Sequence, residues 1–194
     1  MIRAPAASAD RHHRLTVESI LVEPLAAAGI ECGQARVREL LDAVGLPADA
    51  GSRYPREFSG GQRQRIAIAR ALALRPSIIV CDEPTSALGV STQATVLKLF
   101  KDIQKATDVA YIFISHDLGV VNSISDRIAV LYQGEIVELG DAPQVSGAPN
   151  HPYTRRLQLA APLVDPKRQR ARRLQRRMLA ESNGTNSATP TLPD

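Results

Sequence analysis

The chain has few of the residues that build disulfide frameworks, metal clusters or membrane spans. Its 194 residues contain no tryptophan, four tyrosines, three phenylalanines and two cysteines, Cys32 and Cys81. Two cysteines cannot by themselves form a disulfide framework or a four-ligand metal site, so a reducing compartment is expected. No apolar run approaches the roughly 18 residues that a transmembrane helix needs, and residues 1–14 lack the apolar core of a secretory signal peptide. The content of 44% hydrophobic and 23% charged residues is typical of a soluble globular protein.

Positive charge is concentrated in one short segment. The net charge is +4, but residues 167–177 hold seven basic residues and no acidic one. Without these seven, 17 of the 24 basic residues remain against 20 acidic residues, so the rest of the chain is slightly acidic. We therefore expect no direct nucleic-acid partner. The basic segment favours a solvated tail, and contact with an anionic membrane or nucleic acid stays open as an alternative.

The first part of the chain has a helical pattern of apolar residues. Between residues 15 and 46 they recur at helical spacing, Pro24 is expected to interrupt them, and Gly45 is expected to end the second run. Residues 62–74 are basic and rich in Ala, Ile and Leu, which predicts a further helix. This helix is expected to end before Pro76, because proline disfavours helical backbone at the residue before it.

The pattern changes after residue 77. Ile78–Cys81 and Val109–Ile114 are short continuous apolar runs, typical of strands buried on both faces. Ser91 is predicted to cap the helix between them. Residues 128–139 predict a terminal hairpin around Gln133-Gly134-Glu135. The alternation of strands and helices predicts an α/β fold with a mostly parallel sheet.

Candidate chemical groups follow both predicted strands. Asp82 and Glu83 come directly after the first strand, where open α/β sheets bind their ligands. An Asp there commonly holds Mg²⁺ at nucleotide phosphates, and the neighbouring Glu could polarise an attacking water. His116 ends the second strand and could reach a terminal phosphate. A turn acid and a structural histidine are the alternatives at these positions.

A second candidate site opens the helix near residue 60. In Ser59-Gly60-Gly61-Gln62 the two glycines let backbone N–H groups approach an anion, and the helix N-terminus adds partial positive charge. Ser59 could both cap the helix and donate to a phosphate. A glycine-rich helix start in a surface loop is the alternative interpretation.

Together these motifs resemble those of the ATP-binding cassette (ABC) transporter ATPases. Phe58–Arg65 resembles the signature motif, and Ile78–Pro84 resembles the Walker B strand with its catalytic glutamate. Ser86–Ser91 resembles the D-loop, and Ile114–Asp117 resembles the segment with the switch histidine. The order and spacing of these motifs match over roughly residues 15–165.

The C-terminal part carries a narrower resemblance. His151–Thr154, followed by Leu159–Pro162, is similar to the end of oligopeptide and dipeptide importer ATPases. The continuation over residues 164–170 resembles glutathione-type peptide importers more weakly. No cysteine follows Cys81, so the cysteine cluster that some relatives carry near this end cannot form.

The resemblance implies roles for individual residues, with ATP and Mg²⁺ as cofactors. It implies a second ABC ATPase subunit and transmembrane permease subunits as partners, in a dimer that lies on the cytoplasmic side, peripheral to the membrane. The implied residues are Glu83 and His116 as catalytic, Asp82 as a Mg²⁺ ligand through water, Ser59, Gly60, Gly61 and Gln62 as the signature that contacts the partner's ATP, and Ala87, Leu88 and Gly89 as the D-loop.

Two departures from the family pattern bear on activity. The chain has no G-x-x-x-x-G-K-[ST] phosphate loop, and none of its glycines is followed by lysine. That loop supplies most phosphate contacts and one Mg²⁺ ligand, so we expect this chain to lack an autonomous nucleotide site. Gly89 stands where relatives usually have an aspartate that contacts the opposing subunit.

The sequence therefore predicts the C-terminal part of a peptide-importer ATPase, and it leaves the chain's own ATP hydrolysis open. The alternative is an inactive protein that docks on a cognate ABC ATPase or its membrane subunits. We expect a disordered lead-in over residues 1–14 and a helical subdomain over 15–60. These are followed by an incomplete α/β core over 61–140, an importer extension over 141–166, and a basic segment with a disordered tail over 167–194.

Overall fold

The chain forms two compact units, Met1–His116 and Asp117–Asp194. The computed structural model describes residues 2–4 and 14–160, so the predicted basic segment and tail lie outside the described residues. The division at residue 116 differs from the boundaries expected at residues 60 and 140, and those boundaries stay predictions. Within the described residues, no helix is long and apolar enough to cross a bilayer.

Helix α1, Val17–Ala27, begins after Thr16, whose hydroxyl oxygen accepts a hydrogen bond from the Ser19 amide at 3.3 Å. The helix continues through Pro24, so the predicted interruption is wrong. Proline removes one backbone hydrogen bond. Here the apolar residues on both sides of it belong to one buried face, and burial of that face outweighs the loss. The buried members of the face are Val17, Ile20, Leu21 and Leu25.

An arginine side chain forms a hydrogen bond between the next two helices. Helix α2, Gln34–Ala43, ends close to Gly45, whose φ of +64° is the left-handed conformation that glycine favours, as the sequence predicted. Helix α3, Gly60–Leu72, confirms the predicted helix and begins two residues earlier. Arg65 Nη1 of α3 donates to the Val44 carbonyl at 2.9 Å, which satisfies a carbonyl at the end of α2.

A parallel sheet carries the residues after the first strand. Its order in the described residues is β1-β2-β3, formed by Ile2–Ala4, Ile78–Asp82 and Ala110–Ile114. Strand β1 corrects the expectation of a lead-in without structure at residues 2–4. Three residues give too short a pattern to detect, but the open edge of β2 offers backbone groups for pairing.

Two further expectations, about the burial of strand β3 and the start of the helix before it, are wrong. Strand β2 is buried on both faces over Ile79–Cys81, as predicted, with only its first residue exposed. Strand β3 is not buried on both faces, since Ile112 is 52% and Ile114 is 48% exposed. Alternate side chains of a strand point to opposite faces, so one face of β3 is uncovered in the described residues, which an apolar run alone does not reveal. Helix α4, Val90–Thr107, has Gly89 as its N-cap rather than Ser91. The Gly89 carbonyl accepts the Gln93 amide at 2.9 Å, so the helix starts where the preceding turn ends.

The core of the first unit joins α4 to β3. Phe100 of α4 is 1% exposed and meets the rings of Tyr111 and Phe113 edge-on, with centroid distances of 5.2 and 5.6 Å. This geometry is the favoured packing of aromatic pairs. It fixes α4 against the strand that leads to His116.

The second unit contains the predicted hairpin. Helix α5, Leu118–Ile124, precedes the antiparallel strands β4, Arg127–Tyr132, and β5, Glu135–Asp141. Gln133 and Gly134 both have positive φ, as a two-residue hairpin turn of type I′ requires. Helices α6, Ala142–Gly147, and α7, Pro152–Ala160, follow. The small apolar core of this unit consists of Ile128, Val130, Ala142 and Val145.

Candidate functional site

The two predicted catalytic residues lie in contact. Glu83 directly follows β2, and His116 follows the neighbouring strand β3. Glu83 Oε1 and His116 Nδ1 are 2.6 Å apart, with side chains that are 39% and 75% exposed. Parallel strands end at the same edge of a sheet, which is why two residues 33 positions apart converge here.

The backbone turn at Glu83 gives its side chain this direction. Glu83 has a φ of +47°, in the left-handed region that costs a non-glycine residue about 1–2 kcal/mol. Its amide donates to the Ile114 carbonyl at 2.9 Å. Its carbonyl accepts from both the amide and the hydroxyl of Ser86, at 3.3 and 3.0 Å. Hydrogen bonds on both sides therefore hold the strained turn.

Asp82 is the last residue of β2 and is half-buried, with Ile114 as its partner in β3. Among the residues that the structure describes, no group of three or more His, Cys, Asp or Glu side chains could hold a metal ion. A single carboxylate fits Mg²⁺ only in the mode in which water and nucleotide phosphates supply most ligands. Asp82 fits the predicted role on that condition.

The signature residues form a closed capping arrangement at the start of α3. The Ser59 hydroxyl oxygen accepts the Gln62 amide at 3.3 Å, and the Gln62 side-chain oxygen accepts the Ser59 amide at 3.0 Å. Ser59, Gly60 and Gln62 are exposed. The first backbone N–H groups of an α-helix lack intrahelical acceptors, so this end of α3 can accept an anion.

Gly61 has a packing role that the sequence did not reveal. It is buried, and a Cβ built on it would lie 2.5 Å from Thr92 Cγ2 of α4. A Cβ on Gly60 would lie 3.5 Å from Leu88 Cδ2, an ordinary contact. The predicted reason for two glycines was the approach of an anion. Close approach of α4 is a separate reason at position 61.

The D-loop residues Ala87, Leu88 and Gly89 form the connection from the Glu83 turn to α4. The Leu88 amide donates to the carbonyl of the buried Thr85 at 3.1 Å. Nothing lies within 4 Å of a Cβ built on Gly89, and its φ of −68° is accessible to any residue. The structure would therefore accept the aspartate that the family resemblance leads one to expect at this position.

The loop before the signature is braced by side chains that the sequence analysis missed. The Arg53 guanidinium lies 4.4 Å above the centroid of the Phe58 ring, and Phe58 is 4% exposed. Glu57 accepts the Tyr54 amide at 2.9 Å, and this hydrogen bond holds the pKa of Glu57 below its usual value. An alternation of basic, aromatic and acidic residues over 53–58 was the only available signal.

Comparison with known proteins shows which family the chain resembles. A family model described as ABC transporter matches residues 8–86. The glutathione import ATP-binding protein GsiA of Salmonella typhimurium LT2 is 51% identical over 173 residues, and that of Escherichia coli K12 is 50% identical. Each alignment covers 88% of this chain and 27% of the relative, so the chain spans about a quarter of their length.

A solved structure has the same fold. An inward-facing metal-chelate-type ABC transporter matches with a TM-score of 0.64 and 25% sequence identity. The match covers 74% of this chain and 58% of that chain. The fold is therefore α/β and corresponds to part of an ABC cassette. The chain is thus similar to part of the ABC transporter ATPases, by the family model over residues 8–86 and by these relatives.

Proposed function

We propose that this chain belongs to the ATP-hydrolysing machinery of an importer for small peptides such as glutathione. We further propose that its signature loop, Ser59–Gln62, completes a nucleotide site whose phosphate loop lies outside these 194 residues. The observation that carries the proposal is the preformed start of α3, in which a closed capping arrangement presents exposed groups. The 50–51% identity to glutathione import ATP-binding proteins supports the transport class.

The local chemistry of the signature loop suits a phosphate. The Ser59 oxygen accepts the Gln62 amide, so its own O–H is the group that would donate to a phosphate oxygen. Gly60 would add a backbone N–H at the positive end of the helix. The chain has no phosphate loop of its own, so these donors would act on a nucleotide that other residues hold.

Glu83 and His116 would act on the attacking water. We propose that the Glu83 carboxylate accepts the proton of that water, and that His116 Nδ1, 2.6 Å away, orients the carboxylate. Asp82 would hold Mg²⁺ through water, and the ion would neutralise charge on the phosphate oxygens. A second ATPase subunit and membrane-embedded permease subunits would be the partners, at the inner face of the membrane.

A nucleotide titration tests whether the chain has its own site. Calorimetry of the purified chain with ATP and Mg²⁺ should show no saturable binding below millimolar nucleotide. Micromolar affinity would overturn this part of the proposal, because another segment or a homodimer would then replace the phosphate loop.

An assay in trans tests the signature loop. The probe is the Escherichia coli relative named above, in a variant whose own signature serine is replaced. Wild-type chain should raise its ATP turnover, and Ser59→Ala should reduce the rise. Ser52→Ala is the matched control, because Ser52 is also exposed and its hydroxyl donates only locally, to the Asp49 carbonyl at 3.0 Å. Equal turnover with and without the wild-type chain contradicts the proposal. Binding without a change in turnover favours a non-catalytic docking protein.

A further inference from the structure

The first turn of α4 contacts both parts of the candidate site. The Cγ2 methyl of Thr92 lies 2.5 Å from the place that a Cβ on Gly61 would take, so a larger residue at position 61 would force Thr92 to shift. The next residue, Gln93, places its side-chain Nε2 3.5 Å from Thr85 Oγ1, in the turn that follows Glu83. Thr85 is 4% exposed, so this turn is packed against its surroundings. Two adjacent residues of one helix thus face the signature helix and the Walker B turn.

We propose that Thr92 is a positioning residue that fixes the signature loop relative to the Glu83–His116 pair through α4. The inference deepens the proposed function and rests on the signature loop having the role given there. It assigns Thr92 no contact with nucleotide. Its effect on turnover would arise from where it holds Gly60 and Gly61.

The structure of α4 makes such a role physically reasonable. Phe100, two turns further along the helix, is buried against the rings of Tyr111 and Phe113 of β3. Strand β3 in turn leads to His116. Because α4 is anchored on this strand, its first turn cannot move without disturbing the core. A displacement of the first turn of α4 would therefore also affect β3, which leads to His116.

The side chain at position 92 also suits the task. Threonine is β-branched and stiff at χ1, so its methyl group stays where the helix places it. Thr92→Ser removes this methyl and keeps the hydroxyl, which opens a gap beside the Gly61 backbone. Thr92→Val keeps a methyl at the contact and removes only the hydroxyl. Thr95→Ser removes a methyl from an exposed threonine on the same helix and is the matched control.

Amide hydrogen exchange of the full chain is the first test. In Thr92→Ser, the Gln62 and Arg63 amides, which bond to Ser59, should exchange faster by on the order of fivefold. Thr92→Val and Thr95→Ser should stay within about twofold of wild type. Equal exchange in Thr92→Ser and Thr95→Ser would overturn the proposal. This measurement needs no partner, so it is decisive even if the trans assay fails.

Catalysis in trans is the second test. With the partner variant described above, Thr92→Ser should lower kcat severalfold and leave the KM for ATP nearly unchanged, because the partner holds most of the nucleotide. Thr92→Val should retain wild-type kcat. If the wild-type chain does not raise the ATP turnover of the partner variant, that result would count against the proposed function alone. Stimulation by the wild type that Thr92→Ser leaves unaltered would count against the positioning role alone.

A double substitution guards against simple misfolding. Gly61→Ala alone should lower the urea midpoint, because the new Cβ meets Thr92. Addition of Thr92→Ser should recover part of that loss, since the two atoms no longer compete for one space. Additive losses in the two single variants and the double variant would show that the contact does not couple the positions.

Discussion

Replacement of Glu138 by glutamine should loosen the start of helix α7. Glu138 lies on β5, is 9% exposed, and accepts the Asn150 and His151 amides at 2.7 and 3.2 Å. The Gln144 side-chain amide is 3.5 Å away. The carboxylate thus serves backbone donors just before α7 that the helix cannot satisfy itself.

The magnitude follows from what glutamine can still accept. Its single amide oxygen can keep one backbone N–H, while its NH₂ group turns a donor toward the other. One hydrogen bond to a charged acceptor is lost and one buried donor is left unsatisfied, a cost of about 2 kcal/mol. Exchange of α7 amides by local opening should then rise by about 30-fold, since 1.4 kcal/mol corresponds to tenfold.

Hydrogen exchange of wild type, Glu138→Gln and Glu135→Gln is the assay. Glu135 lies exposed on the same strand, so its substitution should change stability by no more than about 0.5 kcal/mol. If α7 exchanges equally in both variants at pH 7, the carboxylate does not hold the helix start and the reasoning is refuted.

The same contacts predict the pH dependence. Burial raises the pKa of Glu138, but the Thr154 hydroxyl, the Asn150 and His151 amides and the Gln144 side chain together lower it below its usual 4.5. The ionised form is therefore favoured by folding. Its contribution is complete above pH 4.5 and is lost as the pH falls through the lower pKa of the folded state. The difference between wild type and Glu138→Gln should shrink in that range.

Three further tests concern other parts of the chain. Gly45→Ala should lower the unfolding free energy by about 1–2 kcal/mol in urea because φ is +64°, whereas Gly147→Ala, with open space around its Cβ position, should lower it by less than about 0.5 kcal/mol; equal effects would contradict the backbone argument. Phe100→Ala should cost about 3–5 kcal/mol in the same titration, and a loss below about 1 kcal/mol would mean that this ring is not central to the core. Burial raises the pKa of Cys81 to about 12, so a disulfide reagent at pH 8 should titrate Cys32 in the native chain and Cys81 only after unfolding. Two thiols that react rapidly before unfolding would contradict this.

Local patterns were enough to predict the elements with strong periodicity. The faces of α1 and α2, the hairpin around Gly134 and the helix start at Ser59 were all readable, because each depends on residues close together in the sequence. The contact of Glu83 with His116 was also within reach, since two neighbouring strand ends were recognised. The alternation itself predicted the α/β class.

The failures share a dependence on distant neighbours. Pro24 stays helical because the residues around it are buried, which a local rule cannot weigh. The apolar run before His116 is exposed on alternate residues, which share one face of β3, and an apolar run alone does not show whether another element covers that face. Thr92 had no signal at all, since its importance comes from Gly61, which lies 31 positions earlier along the chain and across a helix contact.

The left-handed backbone at Glu83 sets stability and chemistry against each other at one position. Glycine or asparagine would adopt this conformation at lower energy. A library at position 83 selected only for thermal resistance or expression should therefore enrich these two residues over glutamate. Under selection for the ATP hydrolysis proposed above, glutamate should return as the preferred residue. A ranking of substitutions by stability alone would class as dispensable the residue that we expect to be needed most.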